Sequence, residues 1–179
     1  MEEVIGWLRS VNGYAACLQE SWKLGDTVEK HKEFLILNHG PTTKLCRRGS
    51  LGVSIVLSWK ARREWEAAGS QVLYFGIRII VIRLHCKDAK GKVVKLFLVS
   101  AYSPIGAAPA AEREDYATQL QLCFNACGED EVLIVGSDTN ASAGVRDKCD
   151  DPTPQDERRC EDRTASNTRT QQGASCAHC

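Results

Sequence analysis

The chain has 179 residues, 43% hydrophobic and 26% charged, a globular balance that excludes a disordered or collagen-like chain and suffices for one core rather than two. Nine cysteines, an odd number at irregular spacings, argue against a closed disulfide framework and for a reducing compartment. The formal net charge of zero conceals a division, since Lys and Arg outnumber Asp and Glu 16 to 9 in residues 1–100 and are outnumbered 7 to 14 in residues 101–179.

Val4, Ile5, Leu8 and Val11 recur at helical spacing and predict a helix from Glu2 to Asn12, stopped by Asn12-Gly13. Apolar runs at Tyr14 to Leu18 and Phe34 to Leu37 end in polar loops and predict buried strands. Leu51 to Ser58 predicts a stronger strand, leading into a helix from Trp59 to Ala68 that Gly69 ends. The β-rich stretch from Val72 to Cys86 predicts one long strand or a pair bent at Gly76. Asp88-Ala89-Lys90-Gly91 is a hairpin connection, and Val93 to Tyr102, apolar at both parities, predicts a central strand. A third helix starts at Pro109, carries Tyr116, Leu120, Cys123 and Cys127 on one face, and stops at Gly128.

Val132 to Val135 predicts the last buried strand, which runs into Gly136-Ser137-Asp138-Thr139-Asn140. The strands around Leu18, Val53, Ile80, Leu98 and Ile134 are expected to share one core in a mixed sheet. The final 30 residues hold no Leu, Ile, Val, Phe, Trp or Tyr, so they are expected to be a disordered tail over 149–179 behind a domain over 1–148. No apolar run approaches the roughly 18 residues of a spanning helix, and the start lacks a signal-peptide pattern. An intracellular location, nuclear or cytoplasmic, away from membranes is expected.

Three strands deliver polar groups at their C-terminal ends: Leu18-Gln19-Glu20, Ser100-Ala101-Tyr102-Ser103-Pro104 and Gly136-Ser137-Asp138-Thr139-Asn140. Ligand sites in α/β sheets collect at such ends. Glu20 and Asp138 are hard oxygen donors of the type that binds Mg²⁺, the Asn140 amide can orient a phosphate or nucleophile, and the Tyr102 hydroxyl can donate to a phosphate oxygen. Singly, each also describes a surface glutamate, a packing tyrosine or a turn; their order along the chain carries the signal. The basic clusters Arg47-Arg48 and Lys60, Arg62, Arg63 suit phosphate neutralisation as well as they suit a solvated face. Cys176-x-x-Cys179, with His178 between, lacks the second close pair of a zinc site.

The ordered strand-end motifs resemble the endonuclease/exonuclease/phosphatase superfamily, in particular the endonuclease domains of non-LTR (LINE-like) retrotransposons and their domesticated relatives. Leu18-Gln19-Glu20 is similar to the family motif whose glutamate binds the metal, Ser100 to Pro104 to the motif ending a strand in Tyr-x-Pro, and Ser137 to Asn140 to the Gly-Asp-Phe-Asn motif. The glycine-led strand from Gly52 to Leu57 also fits. The resemblance implies a Mg²⁺ (or Mn²⁺) ligand at Glu20, a phosphate-contacting Tyr102, and Asp138 with Asn140 positioning nucleophile and scissile phosphate. It also implies DNA as the partner.

The family's opening strand with its asparagine, and its closing Ser-Asp-His triplet, have no counterpart here, so no catalytic histidine is assigned among His31, His39, His85 and His178. The fold expected is α/β (α+β): a partial two-sheet β-sandwich flanked by helices, without the first strand and the C-terminal part of the second sheet. The function expected is a Mg²⁺-dependent phosphodiesterase of endonuclease type by lineage, impaired or inactive in this chain. The alternative is a non-catalytic remnant or interaction module.

Overall fold

A computed structural model describes residues 1–43 and 51–140; the expectations for Arg47-Arg48, for the tail over 149–179 and for Cys176, His178 and Cys179 lie outside the described residues. The described residues form one compact unit. Its elements are α1 (Glu2–Ser10), β1 (Ala15–Gln19), β2 (Thr27–Lys30), β3 (Phe34–His39), β4 (Val53–Ser58), α2 (Trp59–Ala67), β5 (Val72–Phe75), β6 (Ile79–Lys87), β7 (Val93–Tyr102), α3 (Ala110–Asn125) and β8 (Glu131–Asp138).

The strands form the two sheets of the expected sandwich, four strands each, with orders β1-β4-β3-β2 and β5-β6-β7-β8, so that the strands around Leu18 and Val53 lie in the first and those around Ile80, Leu98 and Ile134 in the second. The first is antiparallel throughout. The second is antiparallel except that β8 lies parallel to β7. A parallel pair needs a long crossover, and α3 supplies it.

Alternation along the strands sorts the side chains into layers. Val53, Ile55 and Leu57 of β4 point at Ile80, Ile82, Leu84, Leu98 and Tyr102 of the other sheet, and this inter-sheet core is closed by Ala61 and Trp65 of α2. The outer face of the second sheet, with Ile79, Val81, Phe97 and Val99, is covered by Tyr116, Leu120 and Cys123 of α3. On the outer face of the first sheet, Phe34, Ile36 and Val56 meet Ile5 and Leu8 of α1. The result is an α+β sandwich of helix, sheet, sheet and helix. Strands apolar at both parities, such as β7, are those with a sheet on one side and a helix on the other.

Two expectations about burial are corrected. Leu18 packs with the α1 cluster rather than between the sheets. Ile134 and its neighbours Val132, Leu133 and Val135, on the edge strand β8, are exposed rather than buried in the shared core. The short strand β2, Thr27–Lys30, carries one apolar residue and gave no periodic signal. None of the helices among the described residues is long and apolar enough to cross a membrane.

Candidate active site

β1 and β3 run in one direction and β4 in the other, so Gln19 and His39 both lie opposite Val53 at one end of the first sheet. β7 and β8 end together, with Tyr102 in register with Asp138. Glu20, Tyr102, Asp138 and Asn140 therefore collect at one end of the sandwich.

The phenol of Tyr102 donates to Glu20 Oε1 at 2.5 Å, a direct bond between the two sheets. The Tyr102 side chain is buried, and the Arg78 guanidinium lies 5.3 Å from its ring centroid. Burial, then the hydrogen bond to Glu20, raises the phenol pKa, and Asn140 partly offsets this. Tyr102 thus holds its proton and serves as a donor.

Asp138 Oδ1 accepts from the Asn140 backbone N–H at 2.9 Å, and Asn140 Nδ2 donates to the Ser103 carbonyl at 2.7 Å. The Ser103 N–H continues the ladder to the Asp138 carbonyl. These bonds fix the turn after β8 against the turn after β7. Glu20 (φ 51°) and Asn140 (φ 45°) both occupy the left-handed region; asparagine tolerates it, whereas for glutamate it is uncommon and concentrates at functional sites.

Beneath these groups lies a layer whose roles sequence reasoning missed. Gln19 Nε2 donates to the Gly136 carbonyl at 3.1 Å, and Ser100 Oγ donates to the Leu18 carbonyl at 3.3 Å. Cys17 reaches the Val99 carbonyl, and burial pushes its thiol up to about 11. A Cβ on Gly136 would stand 2.4 Å from the Cys17 Cβ, so the glycine that opens the third motif is required by the close approach of β1 to β8.

Arg78 lies in the turn between β5 and β6, where no sequence pattern singles it out. It pairs with Glu112 of α3, and its Nη1 is buried without a hydrogen-bond partner among the described residues. His39 faces Asp26 Oδ1 through Nδ1 and the Gly76 carbonyl through Nε2, each at 2.6 Å, and stacks on Tyr74 with centroids 4.5 Å apart. Buried with both nitrogens engaged, it clasps β3 to the β5–β6 turn rather than offering a free base.

The donor chemistry fits a hard cation at Glu20: one exposed carboxylate, with Oε2 unused by any hydrogen bond among the described residues, supplies the kind of ligand Mg²⁺ takes alongside waters and substrate oxygens. No group of three or more His, Cys, Asp or Glu residues that could hold a metal ion converges among the described residues, the Glu20 end included. No family model, curated protein or solved structure matches this chain.

Proposed function

We propose that this domain is a divalent-cation phosphodiesterase of the endonuclease/exonuclease/phosphatase type, acting on DNA by lineage, with weak cation affinity and slow hydrolysis. The observation that carries this reading is the Glu20–Tyr102 hydrogen bond at the strand ends, with Asp138 in register beside Tyr102. When bound, Mg²⁺ or Mn²⁺ supplies Lewis acidity and an activated water. Glu20 is its ligand. Tyr102, keeping its proton, donates to a non-bridging phosphate oxygen as negative charge develops there. Asp138 orients an attacking water, and Asn140 holds the phosphate-facing turn in place. A single carboxylate at the cation position leaves most coordination sites to water, hence the weak binding.

A specific observation favours the second reading, a non-catalytic remnant: the site's polar groups already satisfy one another, Tyr102 with Glu20, Asp138 with Asn140 and Asn140 with Ser103. The deciding experiment is a calorimetric titration of Mg²⁺ and Mn²⁺ into wild type and Glu20→Gln, with a plasmid-nicking assay alongside. Weak binding lost in Glu20→Gln, with slow nicking abolished by Asp138→Ala, is the expected result. Cation binding unchanged by Glu20→Gln, or nicking indifferent to Asp138→Ala, sinks the assignment; binding without nicking selects the remnant.

A further inference from the structure

A cleft of about 620 Å³ opens between α2 and the end of β6, lined by Trp59, Lys60, Arg63, Glu64, His85 and Lys87. It lies far from the candidate active site. β6 ends beside the start of β7, with Lys87 opposite Val93, and β7 then runs to Tyr102, roughly 30 Å at the usual rise per residue.

Three features of the cleft point to one kind of ligand. Lys60, Arg63 and Lys87 make no ion pair among the described residues, whereas the neighbouring Arg62 is neutralised by Glu66. Glu64, the acidic lining group, accepts a hydrogen bond from the Tyr14 phenol, which turns it toward Tyr14 and Cys86. Trp59 is 58% exposed, and Arg63 sits on its ring at 4.9 Å from the centroid. Lys60 is held in the same way, 5.9 Å from the Tyr14 ring centroid. Cations steadied on aromatic rings beside a solvent-facing indole combine phosphate neutralisation with a stacking platform.

We propose that this cleft binds a short segment of single-stranded nucleic acid, with phosphates on Lys60, Arg63 and Lys87 and one base stacked on the open face of Trp59. A duplex keeps its bases stacked inside and would leave the indole unused, so the exposed Trp59 favours the single strand. The inference stands on this cleft alone and does not depend on the phosphodiesterase reading.

The test is fluorescence polarisation with a labelled oligothymidylate of about 15 nucleotides, within the span such sites cover, titrated with the full chain at low salt. Trp59→Ala weakens binding roughly 5- to 150-fold, the range for one stacked base, and Trp59→Phe retains part of it. Arg63→Gln and Lys87→Gln each flatten the salt dependence by about 0.7 in log–log slope. Trp7→Ala, which removes a comparably exposed indole from α1, leaves binding unchanged, which assigns the effect to this cleft. Circular dichroism melts confirm that the variants fold, as expected for exposed positions. Equal affinity for a duplex of the same length together with indifference to Trp59→Ala would reduce the cleft to a general polyanion surface and overturn the proposal. Displacement of the oligonucleotide by an acidic polypeptide that binds more tightly and also depends on Trp59 would overturn it in favour of an acidic protein partner. Absence of binding at low salt would end it outright.

Discussion

At Gly136, an added methyl meets a Cβ, not merely a sulfur, since both Cβ and Sγ of Cys17 lie under 3 Å from its ideal position. Gly136→Ala is therefore an overpacking change, expected to cost about 1–3 kcal/mol and to lower the thermal midpoint by several degrees. Cys17→Ala keeps the offending Cβ and is not expected to rescue it; rescue in a calorimetric melt would mean the sulfur alone sets the contact. The neighbouring Tyr102→Phe is milder. It removes the donor to Glu20, but that carboxylate is exposed and regains water, so the expected loss is about 0.5–1.5 kcal/mol. These residues were legible from sequence to different degrees. Glu20, Tyr102, Asp138 and Asn140 stood out because polar groups at the ends of apolar runs are conspicuous. Arg78 and Cys17 did not, because their significance depends on what the opposite sheet presents, and no local pattern encodes that.

Helix and strand positions followed the sequence closely, since apolar spacing and Gly or Pro stops act locally; α2, β6, β7 and α3 lie within a few residues of expectation. Burial of an element was harder to read. Val132 to Val135 form a continuous apolar run, which periodicity alone assigns to a buried strand, yet they sit at the sheet edge. What anchors β8 is a polar corner. Arg83 of β6 donates through Nε to Glu131 at 2.7 Å and through Nη2 to the Ala126 carbonyl at 2.8 Å, with its guanidinium 5.0 Å from the Phe97 ring centroid. Glu131 also accepts from the Gly128 N–H, and its side chain is only 6% exposed. Arg83→Leu strands that carboxylate and is expected to cost roughly 1–3 kcal/mol, seen as a lower urea midpoint with an unchanged slope. Arg83→Lys recovers little, because an ammonium cannot serve the carboxylate, the carbonyl and the ring together. Full recovery by lysine would show that charge alone holds the corner.

Across the whole molecule, an apolar strip and a set of buried protons set the response to solvent. Val132, Leu133, Ile134 and Val135 are each 41% exposed or more, a contiguous edge of the kind that attracts other apolar surfaces. The native protein is expected to bind a hydrophobic fluorescent dye, and Leu133→Lys with Ile134→Lys to abolish most of the signal; a dye-silent wild type would show the strip to be covered. The pH response comes from the thiols and phenols. Burial is the leading cause in every case: it pushes Cys17 and Cys123 up to about 11 and Cys86 to about 12, and it raises Tyr74, Tyr102 and Tyr116. All of these groups are neutral when protonated, so the fold favours their protonated forms. A folded pKa above the unfolded one gives stability that is fully present below the unfolded value, near 9 for a thiol and 10 for a phenol, and lost as pH rises through the folded value. Since every shift has the same sign, the losses accumulate. Urea midpoints are expected to hold steady from neutral pH to about 8 and to fall progressively between about 9 and 12. Cys17, Cys86 and Cys123, followed individually by peptide mass mapping, should react slowly with a disulfide reagent at about pH 8 and quickly once urea unfolds the chain. Phenolate absorbance rising only as the fold is lost would tie the two measurements together, whereas tyrosines titrating near 10 in a protein of unchanged stability would show that these side chains are open to water.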